Sequence, residues 1–449
     1  MEISSISRII PPLIRRHVED AAFYWIQHDA SAYSPRLTLT GLERFSHLLS
    51  AHLEGIEVAG DAGWQSSLAA LQKWRQAGEA FVCTYAALQN NNTAQLDAVL
   101  LKVSAKPDEL LRAVISALAW VPRPQAQRTI SVWSAGDIDP VKQVAALRAV
   151  ALIGPGAAAS LSQSIDHFLS STNAHVRSAA CRAAAALGQS PATNALLRTA
   201  LQDADLSVRA EAAIALGKHA YVEGQQRSSD AIKVADVLWH AIVAQVDLHN
   251  TATGWYNKQT LRRLNRWVQH LALLVPLGNS ELAALLAFMP VRVALRFVAY
   301  HGDPAHLPFV IAQMGNANTA RYAGWVWQAI TGVDIEAVGM TLPEPELDDS
   351  PASLTQITQT QLDADSGMAL PDAKKIALYP TLSLQKGKRY LMGQQLSAPH
   401  VLNVLEHAPQ ALRSIAVMHL QLNRPEVNLG LRGPVQAQQQ LLSAMRAAP

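Results

Sequence analysis

The chain has 449 residues, 49% of them apolar, and 37 Lys and Arg against 35 Asp and Glu leave a net charge of +2. The apolar share excludes a disordered chain, and the near-neutral balance excludes any global charge argument for nucleic acid or membrane binding. Two cysteines far apart in apolar settings, Cys83 and Cys181, exclude a disulfide framework and fit a reducing compartment.

The opening MEISSISRIIPPLIRR places Glu2 and Pro11–Pro12 where a secretory leader would be basic and then apolar. No apolar run approaches the ~18 residues a bilayer-spanning helix needs, so a cytoplasmic location without membrane association is expected. Helical spacing of Val18, Ala22, Trp25 and Ile26 predicts a helix over 13–29. Thr40 and Glu43 read as a capping box before a helix carrying Leu42, Phe45, Leu49, Leu53 and Ile56 on one face. Gly60 and Gly63 break the chain over 58–64, and helices follow over 65–77 and 79–89. Residues 1–89 lack the repeat seen further on and are expected to form a helical cap or docking region.

Residues 139–217 organise the rest. Three copies of one pattern appear, DPVKQVAALRAVALIG, NAHVRSAACRAAAALG and DLSVRAEAAIALG. Each has a turn residue (Asp139, Asn173, Asp205), a basic residue (Lys142, Arg177, Arg209), an Ala-rich run and a closing glycine (Gly154, Gly188, Gly217). Asp and Asn cap the free amides of a helix start, Ala favours helix and takes little room, and Gly suits the left-handed helix end. A period near thirty residues predicts an all-α solenoid of stacked antiparallel helix pairs. The pattern is HEAT-like, and in such repeats the basic residue commonly bonds the turn Asp of a neighbouring repeat. Repeats are expected over 90–332, where Asn318, Arg321, Ala323 and Gly332 stand roughly where Asn173, Arg177, Ala179 and Gly188 stand earlier.

Residues 333–380 break the pattern. From Asp334 to Asp372 there are nine acidic residues and no Lys or Arg, with Pro343, Pro345, Pro351 and Pro371 interposed. Such a stretch predicts an acidic, partly disordered insertion. Residues 381–449 return to helix as a C-terminal repeat or cap, with Arg413 on its last repeat helix. Seven Lys or Arg between 385 and 446 offer the acidic insertion a basic end to fold back on; mimicry of a partner and a solvated loop are the other readings.

The sequence points to no catalytic, cofactor-binding or metal-ligating residue. His47 and His52 are five apart, as are His301 and His306, a poor spacing for one helical face. There is no HExxH, no adjacent His-Glu step, no phosphate-binding glycine loop and no nucleophile elbow. The best candidate surface is TGWYNKQTLRRLNRWVQH, residues 253–270. Lys258, Arg262 and Arg266 share a face there, beside Arg263 and with Trp255, Tyr256 and Trp267 interleaved. No acid lies between Asp247 and Glu281. Such a face suits an acidic protein partner, the acidic insertion, or nucleic acid held by phosphate contacts and stacking.

Several phrases outside the repeats carry a resemblance. They are VEDAAFYWIQHDA (18–30), LTGLERFSHLLSAHLEGIEVAGDAGW (39–64), GDPAHLPFVIAQM (302–314), ARYAGWVWQAITG (320–332) and GKRYLMGQQLSAPHV (387–401). Together they resemble the HEAT-like repeat proteins encoded in type VI secretion clusters of Gram-negative bacteria, beside spike, PAAR-tip and effector genes. The resemblance implies a bacterial cytoplasmic accessory protein and supplies no catalytic residue. The expectation is a non-enzymatic adaptor or chaperone for a type VI effector, spike or PAAR-tip protein. The alternative is a nucleic-acid-binding protein, with base excision as its candidate activity, using the 253–270 helix.

Overall fold

A computed structural model describes residues 10–136, 139–220, 229–344, 365, 367–380, 384–424 and 426–447. Among these the fold is all-α and HEAT-like. The described strands are a two-residue pair, Tyr390–Leu391 against Gln394–Gln395, and Thr341 and Pro371 form a single bridge. The chain divides into two compact units, one of residues 1–216 with 424–449 and one of residues 217–423.

The first unit opens with α1 (Pro11–Ala30), α2 (Leu39–Val58), α3 (Asp61–Trp74) and α4 (Ala77–Gln89). Thr38, two residues ahead of the expected cap, starts α2 by accepting from the Gly41 amide at 3.3 Å. The expected break at 58–64 is only two residues long, because Gly60 takes φ +55 and α3 begins at once. The next helices are α5 (Thr93–Ser104), α6 (Pro107–Trp120), α7 (Arg123–Trp133), α8 (Pro140–Ile153), α9 (Ile165–Leu169), α10 (Ala174–Leu187), α11 (Pro191–Ala200) and α12 (Leu206–Ala220). Alternate helices stack on one another: α4 packs on α6, α6 on α8 and α8 on α10, while α5 and α7 pack beside their neighbours in that row. This two-layer arrangement is what the thirty-residue period requires.

The side chains explain the row. Ala145, Ala146 and Ala149 of α8 and Ala179, Ala180, Ala183 and Ala184 of α10 are buried, so the backbones approach over methyl groups. Larger residues fill the N-terminal end. Trp25 stacks on Phe81 at 5.0 Å, Phe81 meets Trp120 edge-on at 5.9 Å, and the Trp25 indole N–H donates to Ser116 at 3.0 Å. The C-terminal residues belong here too. Asn428 donates to the Ala151 carbonyl at 3.0 Å, and Arg432 lies over Tyr33 and reaches Asp29 at 3.4 Å. Gln439, on the helix Val435–Ala447, reaches Glu43 at 3.3 Å.

The second unit contains α13 (Ser229–Thr251), α14 (Gly254–Leu274), α15 (Leu282–Phe288), α16 (Val291–His301), α17 (Leu307–Gln313) and α18 (Ala320–Thr331). Here α14 packs on α16 and α16 on α18, the same alternate-helix stacking. Helices Ala398–His407 and Gln410–Asn423 pair as a further antiparallel hairpin.

The third closing glycine departs from the expected pattern. Gly154 and Gly188 do end their helices at positive φ, but Gly217 lies inside α12. Its role is space: a Cβ there would stand 2.8 Å from Leu274 Cδ1. Two of the C-terminal basic residues lie inside the fold. Arg389 is buried and donates to the carbonyls of Ala272, Leu273, Val275 and His301 at 2.8–3.2 Å. Arg413 is fully buried and donates to the Leu405 carbonyl at 2.6 Å. The described ends of the acidic stretch go elsewhere: Glu344 pairs with Arg321 of α18 and Asp365 with Arg292 of α16. Residues 345–364, the middle of the expected disordered insertion, lie outside the described residues.

Candidate interaction surface

The repeat residues fall into place at the loops that start the stacked helices. Asp139 accepts from the Val141 amide at 2.9 Å, Asn173 from His175 at 2.9 Å, and Asp205 from Ser207 at 2.8 Å. All three are helix N-caps. Arg177 and Arg209 repeat one geometry. Each sends Nη1 back to the carbonyls six and five residues before it, Ser171 and Thr172 in one case, Asp203 and Ala204 in the other. Arg177 also reaches across to the next turn. Its partner there is Asp203, because Asp205 is engaged as the cap. The side-chain bond to Asp203 raises the Arg177 pKa against a smaller effect of burial, and the same bond holds Asp203 below the usual carboxylate range.

Lys142 and Arg321 depart from that geometry. Lys142 bonds Asp97 of α5 at 2.8 Å. Arg321 sits nearer its helix start than Arg177 does and pairs with Glu344 while donating to the Met368 carbonyl at 2.8 Å. On α10, Arg182 pairs at 2.7 Å with Glu211 of α12, a fully buried carboxylate.

Helix α14 carries the basic stretch. Its start is pinned to the end of α13: Asn257 donates to the carbonyls of His249 and Ala252 at 3.1 and 3.2 Å, and the Thr260 hydroxyl lies 3.0 Å from His249 Nδ1. Lys258 and Arg262 are exposed one turn apart, Arg263 and Arg266 are half-buried, and Arg266 is already engaged by other groups. Among the described residues Lys258, Arg262 and Arg263 make no ion pair. Tyr256 is 46% exposed and Trp255 half-buried beside them. Trp267 is buried in the core and takes no part in the surface. The face is therefore narrower than the sequence suggests, centred on Lys258 and Arg262.

A second cationic cluster had no clear signal in the sequence. Arg292 and Arg296 lie over the Tyr322 ring at 5.0 and 6.0 Å, and Tyr322 stacks on Trp325 at 5.7 Å. Arg292 donates to the Asn318 carbonyl at 2.9 Å and holds Asp365. Arg292 of α16 and Arg321 of α18 thus meet the two described ends of the acidic stretch.

With this geometry in view, the family comparison is specific about one region. Residues 163–243 match the family model of HEAT repeats. The match runs from α9 into α13 and takes in the Arg177 and Arg209 copies. No curated protein and no solved structure shows significant similarity to the chain. Among the described residues no helix is long and apolar enough to cross a membrane. Both cysteines are free and buried, and burial pushes both thiols far up from their ordinary pKa, which leaves them poor nucleophiles.

Proposed function

We propose that this chain is a non-enzymatic protein-binding scaffold, an adaptor or chaperone that handles a type VI secretion effector, spike or PAAR-tip protein. HEAT repeats serve in general as protein-interaction scaffolds, and stacked helix pairs present long surfaces to protein clients. The observation that carries the reading is the pair of exposed cations Lys258 and Arg262, without an ion pair among the described residues, on a helix of the stacked row. They steer an acidic client, while Trp255, Tyr256 and apolar contacts set how long it stays. The type VI assignment rests on the family resemblance of the sequence.

The test is association of the purified protein with the products of neighbouring effector and spike genes. Lys258→Glu with Arg262→Glu should slow association and weaken its salt dependence, with the helical circular dichroism spectrum intact. A strain lacking the gene should lose delivery of one cognate effector in a competition assay while the secretion machine still assembles. The exposed Tyr256 beside the cations favours a second reading, single-stranded nucleic acid bound by phosphate contacts and stacking. Salt-dependent binding of an oligonucleotide, with no retained neighbouring-gene product, would move that reading ahead.

A further inference from the structure

His301 and His306 are five residues apart, which on a continuous helix places them about 140° from one another. The helix is not continuous. α16 ends at His301, Gly302 takes φ +73, and Asp303 accepts from the Ala305 amide at 2.9 Å to start a 3-10 turn over Pro304–His306. That reversal returns His306 to His301, with ring centroids 5.3 Å apart at 65°. One ligand atom from each of His301, Asp303 and His306 then lies within 4.8 Å of the others.

From this geometry we propose that His301, Asp303 and His306 bind one divalent first-row transition-metal ion, zinc being the best fit, which fastens the turn after α16. The His301 imidazole is 0% exposed, and among the described residues neither ring nitrogen has a hydrogen-bond partner. A neutral imidazole carries one donor and one acceptor, and leaving both unmet inside a protein is costly.

The other two ligands are equally prepared. Asp303 is 1% exposed and, among the described residues, makes no ion pair. Its Oδ1 accepts from Ala305 and Gly387, while Oδ2 accepts only a long 3.3 Å contact from Gly387. A carboxylate has about four acceptor positions, so Oδ2 retains capacity for a cation. Burial lowers the pKa of His301 and of His306, with Arg389 adding to the effect at His301 and Asp303 opposing it at His306. Arg389 opposes a cation, but four backbone carbonyls surround its guanidinium and offset that charge.

Two imidazoles and one carboxylate suit zinc and its neighbours, whereas calcium and magnesium take oxygen ligands. Three protein ligands leave a fourth position for water, reached past the half-exposed His306. What the ion fastens is the turn on which 387–390 rests. Gly387 donates to Asp303, and the Tyr390 amide donates to the Gly302 carbonyl at 2.8 Å.

The experiment uses the full chain, stripped with a chelator and titrated with Zn2+ against a chromogenic competitor, with Co2+ as a visible-absorption probe. One zinc per chain and cobalt bands in the visible are expected, and chelation should lower Tm. His306→Ala and Asp303→Asn should each weaken zinc binding by at least the ~10–100-fold that loss of an outer-shell partner costs. His306→Gln serves if His306→Ala loses its helical spectrum. The double variant His17→Ala, His52→Ala removes a half-buried histidine pair whose Nδ1 atoms lie 3.0 Å apart, and should leave the affinity unchanged. A wild-type chain that takes up no zinc at micromolar free metal overturns the site. So does zinc binding that survives His306→Gln and Asp303→Asn, or that disappears in the His17, His52 variant.

Discussion

Arg177 of α10 donates to both carboxylate oxygens of Asp203 in the next repeat turn, at 2.7 and 2.8 Å, while a third nitrogen-to-carbonyl pair ties it to its own loop. One side chain therefore fixes the spacing of two successive repeats. Asp203 in turn accepts from the Asp205 amide at 2.8 Å, so the clamp also positions the residue that caps α12.

Removing that clamp should be measurable and pH-dependent. Arg177→Ala should cost about 1.5–3 kcal/mol, the range for hydrogen bonds to charged groups, because it removes the guanidinium from Asp203 and a donor from two carbonyls. The Arg177 bond lowers the folded-state pKa of Asp203 against an opposing effect of burial. A depressed carboxylate contributes stability that is complete above its unfolded value near ~3.9 and is lost as pH falls through the folded value. Thermal melts from neutral pH into the acid range should show wild type and Arg177→Ala converging below that point. A constant gap across the range would mean that the pair is not the source.

Gly332 and Gly339 offer a controlled comparison, because their φ values, +71 and +69, are nearly equal. A Cβ at Gly339 meets nothing within 4 Å, whereas one at Gly332 stands 2.5 Å from the Met392 backbone. Gly339→Ala should cost only the left-handed backbone penalty of about 1–2 kcal/mol. Gly332→Ala should cost more, because the Met392 and Gly393 amides donate to Ala329 and Ile330 at 2.6 and 3.0 Å and must shift with the turn. Denaturant titration of both variants checks the order, and equal losses would show that the hairpin gives way freely.

His28 should make the fold acid-sensitive above the carboxylate range. It is 1% exposed, packs edge-on to Trp120 at 5.1 Å, and burial lowers its pKa to about 4 against a smaller opposing effect of Asp29. The folded state keeps the ring neutral, while the unfolded chain takes up a proton below ~6.5. Stability is thus complete above that value and declines as pH falls toward about 4, by on the order of 3 kcal/mol. His28→Phe retains a ring against Trp120 and should remove this part of the decline, read as a flatter Tm profile between those two pH values. An unchanged profile would assign the acid sensitivity to other groups, His419 first, whose burial lowers its pKa to about 3.

The repeat was legible in the sequence because its causes are local. Asp139, Asn173 and Asp205 cap the residues two or three positions ahead of them, and an Ala-rich run is helical and narrow wherever it is placed. Those properties depend on residue type and spacing alone, so period, helix starts and close packing followed without coordinates. The partners of the charged groups did not follow, because they are set by residues brought together from a distance. Asp203 rather than Asp205 receives Arg177, Arg292 and Arg321 take the acidic ends, and Arg389 disappears into carbonyls more than eighty residues away. Gly217 shows the same division: a helix-ending glycine by pattern, it is a point of close approach to Leu274 by packing. His301 and His306 show it most clearly. A spacing of five argues against a shared face only while the helix lasts, and Gly302 ends it between them. Sequence determined the elements and their stacking through short-range hydrogen bonding and side-chain volume. Only the tertiary structure decided which charges and ligands meet, because burial and long-range contact have no local signature.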